Sequence, residues 1–358
     1  MGRLRQILRQ IMYFRLKAGC MKQVTILVTY GCNLSSVDNP RQGFLEANHW
    51  LEKQGHSPMF QVQLAGAEKE VQLENGMYTI RPDVLIQDVH HTDLVVIPAS
   101  SGKPVRNVLE ENKIFIPWII HQYQQGAEIA SLCLGAFLLA ATGLLNGKAC
   151  STHWKAMHEL EKYFPEVQCI TDRILTDTQG IYTSGGAFSS ANLILYLIEK
   201  YVGRAAAIYC AKMFQIDIDR SSQSAFIIFD GQKDHADDLI RKAQEYIEKH
   251  YTHKITVGHL CQIFSLSKRN FERRFKQATS NTVAAYIQRV RIEAAKKYLE
   301  QGRYNVNEVM YEVGYQDHKA FRKVFKKITG LSPLQYRNKY NLHGFTATDE
   351  RVADGELN

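Results

Sequence analysis

The segments RNFERRFKQATSNTVAAYIQ and KAFRKVFKKITGLSPLQYRN stand fifty residues apart and are two copies of one pattern. Phe271 matches Phe321, Phe275 matches Phe325, Lys276 matches Lys326, Thr279 matches Thr329 and Tyr286 matches Tyr336, with Lys323 standing for Arg273. A fixed period means one supersecondary unit built twice. Two copies are too few for a solenoid, so residues 235–340 hold a tandem pair of modules.

Each copy predicts two short helices joined by a turn. In the first, Thr256 caps a helix with Val257, Leu260 and Ile263 on one face, the chain turns at Phe264 to Leu266, and Ser267 caps the next helix. Phe271 and Phe275, at i and i+4, face inward, which leaves Lys268, Arg269, Glu272, Arg273 and Lys276 outside. Cations in a first turn oppose the helix dipole, at a cost of a few tenths of a kcal/mol unless phosphate or base acceptors are present. In the second copy Val306, Val309 and Met310 form the packing stripe, Gly314 permits the turn and Asp317 caps the following helix. Its exposed face is His318, Lys319, Arg322, Lys323 and Lys326, residues suited to guanine edges and phosphates. Val290, Ile292, Ala295 and Leu299 suit a long helix between the copies. Two recognition helices on such a strut would enter successive major grooves, about 34 Å apart.

Charge separates this region from the rest. Residues 1–234 carry 22 Lys/Arg against 22 Asp/Glu, residues 235–340 carry 21 against 10, and residues 341–358 carry one against four. A neutral body joined to a basic domain predicts that only the second part meets a polyanion. The opposing reading, that basic faces are merely solvated, holds for most charge runs but leaves the duplication unexplained.

Residues 235–340 resemble the DNA-binding domain of the AraC/XylS family, through Arg291, Ala295 and Leu299 of the strut, the Gly314-Tyr315 turn, and the run from Phe321 to Arg337. The resemblance implies that Arg269, Glu272 and Arg273, with His318, Lys319, Arg322 and Lys323, lie where family members contact bases or backbone. The first copy departs from the pattern with Ser280 to Val283 where the second has Gly330-Leu331-Ser332-Pro333.

The neutral body alternates apolar runs with amphipathic stretches. Strands are expected at 24–28, 60–64, 93–99, 128–133 and in IYTSGG, with helices over 42–54, 115–125, after Cys133, and from Phe188 to Tyr201. This predicts a largely parallel sheet with helices on both faces, in a flavodoxin-like three-layer α/β domain, ahead of an all-α domain with two helix-turn-helix units. Ligands of such sheets sit at the carboxyl ends of the strands. At one such end the run Glu128 to Leu132 leads into Cys133, with Gly135 two residues on and FLLAATGLL continuing as a helix, in the manner of a nucleophile elbow. A thiol at a helix N-terminus should have a lowered pKa. STHW places His153 within reach after a short strand.

SLCLGAFLLAATGLLNGK, STHW, and TSGG followed by a helix resemble the PfpI-like branch of the class I glutamine amidotransferase-like superfamily over residues 22–202; joined to the basic domain, the whole resembles GlxA-type regulators. The resemblance implies Cys133 at the elbow with His153 beside it. The acidic helper of catalytic relatives is replaced by Ser36-Val37-Asp38-Asn39-Pro40, with Asp38 out of register. Cys32, Asp38, Cys133, Leu134, His153, Ser184 and Gly185 are the pocket candidates. Cys133 is then a nucleophile, a redox or ligand-contacting sensor, or an inherited residue lining a pocket; a nucleophile and base usually need a third, orienting group.

The domains expected are a basic extension over 1–21, with Met21 a candidate translation start, the amidotransferase-like domain over 22–215, an arm and linker over 216–234, the DNA-binding domain over 235–340 and a polar tail over 341–358. No apolar run approaches the roughly 20 residues that span a bilayer. The seven cysteines (20, 32, 133, 150, 169, 210, 261) are scattered and lack a CxxC pair, so neither a zinc site nor a disulfide framework is expected. These features predict a soluble, cytoplasmic regulator with no cofactor, binding double-stranded operator DNA as a homodimer, its N-terminal domain a small-molecule sensor, a dimerisation module or both, with a small-molecule effector and RNA polymerase as further partners. The alternative is a cysteine-dependent amidase, hydratase or glyoxalase-like enzyme tethered to DNA.

Overall fold

The structure, a computed structural model, describes residues 21–100, 104–170, 173–186, 188–218, 222–233 and 235–341. Almost all of the N-terminal extension and of the polar tail lies outside these. The chain divides into two compact units between Gln223 and Ser224.

The first unit runs β1 (Lys22–Val28), α1 (Leu34–Lys53), β2 (Phe60–Gly66), a small hairpin of β3 (Val71–Leu73) and β4 (Tyr78–Ile80), β5 (Val84–Leu85), β6 (Leu94–Ile97), α2 (Val105–Glu111), α3 (Phe115–Gln124) and β7 (Glu128–Ser131). It continues through α4 (Ala136–Ala141), β8 (Ala149–Cys150), α5 (Met157–Tyr163), β9 (Gln168–Cys169), β10 (Leu175–Thr178), β11 (Ile181–Ser184), α6 (Ser189–Tyr201) and α7 (Arg204–Met213). The main sheet has the order β10-β11-β7-β6-β1-β2-β5. It is parallel except for β10 against β11, an antiparallel edge not anticipated from the sequence.

Both faces of this sheet are covered, as the continuous apolar runs require. Val24, Ile26, Val28, Leu94 and Val96 point to one core with Phe44, Leu51 and Leu193, while Leu27, Val95 and Ile97 point to the other with Phe115, Ile119 and Phe137. The helix expected over 42–54 begins at Leu34 and runs through Pro40. A helix-interior proline costs about 3 kcal/mol. Burying Val37, Phe44 and Leu51 along one stripe returns roughly 1.5–3 kcal/mol each, so the helix continues. Strand order reverses between β1 and β6, where Asn33 N–H donates to Ala99 O at 2.9 Å, and this switch point opens a crevice beyond the strand ends.

The second unit starts with a 3₁₀ turn over Ser224–Phe226 and is otherwise α-helical: α8 (Asp238–His250), α9 (Val257–Ile263), α10 (Lys268–Thr279), α11 (Val283–Gln301), α12 (Val306–Glu312), α13 (His318–Thr329) and α14 (Pro333–Tyr340). The repeat is reproduced in three dimensions. Helices α10 and α13 are twelve residues each and bury Phe271, Phe275 and Thr279 in one copy, Phe321, Phe325 and Thr329 in the other. Each copy has its own core, and α11 serves both, giving Val283, Tyr286 and Val290 to the first and Ile292, Ala295 and Leu299 to the second.

Thr256 and Asp317 cap as expected, accepting from His259 N–H and Ala320 N–H. Ser267 stands at its cap position with extended backbone, but its side chain makes no cap hydrogen bond. Residues 224–233 pack onto this unit. Phe229 meets Tyr286 edge-on at 5.1 Å and donates its N–H to Glu293, while buried Lys296 donates to Ile227 O at 2.5 Å. The polar run Asp230 to Lys233, which looks like linker in sequence, is held too: Gly231 O accepts from the Tyr286 hydroxyl at 3.1 Å, Gln232 Oε1 accepts from Asn281 Nδ2 at 2.6 Å, and Lys233 Nζ pairs with Glu248 at 2.6 Å.

Candidate nucleic-acid interface and effector pocket

Helix α10 turns Lys268, Arg269, Glu272, Arg273 and Lys276 to solvent, and α13 does the same with His318, Lys319, Arg322, Lys323 and Lys326. The buried phenylalanines dictate this, because at helical spacing a face that fills the core forces its opposite outward. Among the described residues none of these cations is in an ion pair; Arg273 meets only Asn270 at 3.1 Å and Gln277 at 3.5 Å. Arg274 differs. It turns inward and holds the Asp237 carboxylate with two hydrogen bonds of 2.8 and 2.6 Å, which keeps that carboxyl below its ordinary range.

The strut is tied to both copies near its middle. Arg291 donates to Tyr251 O at 2.8 Å and His253 O at 2.9 Å, and lies over the Tyr315 ring of the second copy. Gly314, φ +78°, passes so near Thr252 O that a β-carbon would stand 2.4 Å from it. The predicted turn glycine is therefore required by both conformation and space.

In the first unit Cys133 stands on the elbow with φ 51°, and Gly135 next to it could not carry a β-carbon without meeting Pro98 O at 2.6 Å. Cys133 N–H points to Ser184 Oγ at 3.4 Å, Cys133 O accepts from Thr152 Oγ1 at 2.8 Å, and Ser184 Oγ reaches Ser190 Oγ at 3.5 Å. The thiol does not behave as its position at a strand-to-helix turn suggested. Burial pushes it up to about 11, only partly opposed by the Leu134 N–H. The expected lowering is thus corrected: Cys133 is 4 % exposed, and α4 behind it has six residues, too few for its dipole to offset desolvation.

His153 is half-buried beside Trp154, its Nδ1 accepting from Lys155 N–H at 3.2 Å. Burial, then Lys155, lowers its pKa. No hydrogen bond joins it to Cys133 and no carboxylate pairs with it among the described residues. Asp38 does not supply one, since it sits on α1 with its side chain half-exposed and 3.5 Å from Arg41. Cys32 is fully buried in the core at the end of β1, with its thiol also raised to about 11 by burial.

The switch-point crevice is lined by Asn33, Ser35, Ser36, Asn39, Leu132 and Ser190, with Pro40, Ala99, Ala191 and Ile194 completing it and no ionisable side chain among them. The Asn/Ser-rich stretch after β1 is the sequence cue to this lining, and none of the expected pocket residues Cys32, Asp38, Cys133, Leu134, His153, Ser184 and Gly185 is part of it. Thr152 and Gln223 were missed as well. Gln223 is 1 % exposed and packs its carboxamide against Gly185, with Nε2 donating to Thr152 O at 3.2 Å. Among the described residues no group of His, Cys, Asp and Glu could hold a metal ion, and no helix is long and apolar enough to cross a membrane.

Comparison with known proteins adds two family matches, the DJ-1/PfpI family over residues 22–200, half of the chain, and a helix-turn-helix domain over residues 260–339. The HTH-type transcriptional regulator GbdR of Pseudomonas aeruginosa is 25 % identical over 75 % of this chain and 72 % of its own length. The regulator CdhR of the same species is 22 % identical over 82 % of this chain and 86 % of its own. An isonitrile hydratase of Pseudomonas putida is 26 % identical over 41 % of this chain and 60 % of its own.

Proposed function

Because the chain belongs to the DJ-1/PfpI family and is a DNA-binding transcriptional regulator of the AraC family, we propose that α10 and α13 read operator DNA while the crevice at the strand ends binds the small molecule that controls them. One observation carries the DNA half: two copies of the same helix present unpaired cations outward and are fixed to a single strut by separate cores. Lys268, Arg269, Glu272, Arg273, Lys276, His318, Lys319, Arg322 and Lys323 are the contacting residues in this reading. Selecting bound fragments from genomic DNA with the full chain, then measuring affinity against salt, tests it. A log–log slope near zero would remove the phosphate contacts the reading requires.

The sensor half is supported by a crevice of neutral hydrogen-bonding groups at a topological switch point, where open α/β sheets bind ligands. A metabolite that raises the melting temperature must also change operator affinity, and DNA must change metabolite affinity by the same factor. A homodimer, RNA polymerase as a further partner and a cytoplasmic setting complete the reading; sedimentation of the full chain tests the dimer.

The likeness to an isonitrile hydratase favours a second reading, turnover at Cys133. A thiol whose pKa burial raises, with no bonded base and no orienting acid among the described residues, supports binding over catalysis. Cys133→Ser separates the two: an enzyme loses turnover, whereas a sensor keeps operator binding.

A further inference from the structure

Gln223 is the last residue of the first unit, and its side chain is buried beside the elbow. Its Nε2 donates to Thr152 O at 3.2 Å and reaches Arg173 O at 3.5 Å. Thr152 in turn holds Cys133 O. The other half of the carboxamide is unsatisfied, since Oε1 is buried without a hydrogen-bond partner among the described residues. A glutamine selected only to fill a core would not bury an unpaired acceptor, because an unmade hydrogen bond in the interior is costly. Gly185 is shaped around this occupant: a β-carbon there would stand 2.8 Å from Oε1 and 3.1 Å from Cδ, and the nearest atoms around it all belong to Gln223.

The next residue begins the second unit. Ser224–Phe226 forms the 3₁₀ turn that lies against α13, and Phe226 meets Tyr340 edge-on at 6.2 Å. One peptide bond therefore separates a loosely satisfied plug in the first unit from a turn that touches the second recognition helix.

We propose that Gln223 is an internal occupant of a small-molecule site beside the Cys133 elbow, whose residues do not line the switch-point crevice, and that it is replaced there by a molecule whose –NH₂ or –NH₃⁺ group donates to the Thr152 and Arg173 carbonyls, its release altering how α13 engages DNA. This rests on the reading that a small molecule controls the DNA-binding unit; it places that molecule beside the elbow rather than in the switch-point crevice, and adds its donor chemistry and the connection to the DNA-binding unit. Two neighbouring backbone acceptors select a nitrogen donor, and a ligand that also offers a donor to its own carbonyl, or lacks the carbonyl, removes the defect that Oε1 leaves.

The test uses the full chain and two substitutions on opposite sides of one contact. Gln223→Ala removes the plug; Gly185→Ala evicts it, at a position whose φ is not in the left-handed region. Each should change operator affinity in the same direction, by about tenfold, and the double variant should go no further than either alone. Acetamide, a free carboxamide, should raise the melting temperature of Gln223→Ala without returning its operator affinity to the wild-type value, at concentrations that leave the wild type unchanged. Variants that melt at lower temperature but bind operator as the wild type does would reduce Gln223 to packing and overturn the proposal. Additive effects of the two substitutions, no melting response of Gln223→Ala to acetamide, or a return of its operator affinity with acetamide, would overturn it too. If in that case a metabolite still shifts both melting and operator affinity of the wild type, the sensor reading stands without the plug. Should Gln223→Ala not fold, Gly185→Ala alone decides, since a wild-type operator affinity there also overturns the proposal.

Discussion

Ser280 and Gly330 close α10 and α13 with the same left-handed residue, φ 56° and 77°, and each returns its N–H to the lysine four positions earlier at 2.9 Å. The conformation costs an L-residue roughly 1–2 kcal/mol and glycine little. Ser280→Gly is expected to stabilise the second unit by about 1 kcal/mol and Gly330→Ser to destabilise it by a similar amount. The three tryptophans, Trp50, Trp118 and Trp154, all lie in the first unit. Helical circular dichroism during denaturant unfolding should therefore register the change while tryptophan emission keeps its midpoint.

The exposed and inward arginines of α10 make opposite predictions. Arg273→Ala, and Lys323→Ala in α13, should each weaken operator binding by about 1–3 kcal/mol if they read bases, or reduce the salt slope by about one if they touch phosphate. Arg274→Ala removes no exposed cation of that face. It should lower the melting temperature of the second unit and leave the salt slope of the remaining folded protein unchanged. Unaltered operator affinity in both Arg273→Ala and Lys323→Ala would remove α10 and α13 from the interface.

The Arg274–Asp237 pair also sets an acid dependence. Hydrogen bonds from Arg274, then the Ile240 N–H, hold the Asp237 carboxyl below its ordinary range. A depressed folded pKa contributes stability that is present above the unfolded value, near 4, and is lost as pH falls through the lower folded value. The stability advantage of wild type over Asp237→Asn should be constant from about pH 7 to 5 and shrink below about pH 4. Melting temperatures followed by circular dichroism across that range would show it; an advantage that grew on acidification would contradict the assignment.

What was legible in the sequence was whatever depends on spacing. Phe271 and Phe275 repeat as Phe321 and Phe325, and that alone fixed which faces of two helices are buried. Gly314 was legible because a turn needs it, although the contact with Thr252 O that makes it indispensable lies sixty-two residues away in sequence. Cys133 was legible as an elbow because small residues around a single side chain mark a tight strand-to-helix turn. Its protonation was not, since desolvation depends on residues brought in by β6, β11 and the 149–153 segment. Gln223 left no local signal at all: an ordinary glutamine in a polar run acquires its place only when Gly185, Thr152 and Arg173 are assembled around it.

The raised Cys133 thiol gives a kinetic expectation that distinguishes a buried pocket residue from a reactive one. With its pKa pushed up to about 11, roughly one molecule in ten thousand carries the thiolate at pH 7. Because the thiolate is the nucleophile, the rate of alkylation by iodoacetamide should rise about tenfold for each pH unit between about pH 7 and 9, with no plateau. A thiol activated by a helix terminus or a histidine would instead saturate near neutral pH. Mass spectrometry of the peptide containing Cys133, quenched at intervals, reads the rate directly. A plateau below about pH 8 would restore the nucleophile reading and would make the absent bond between Cys133 and His153 a feature that substrate binding must complete.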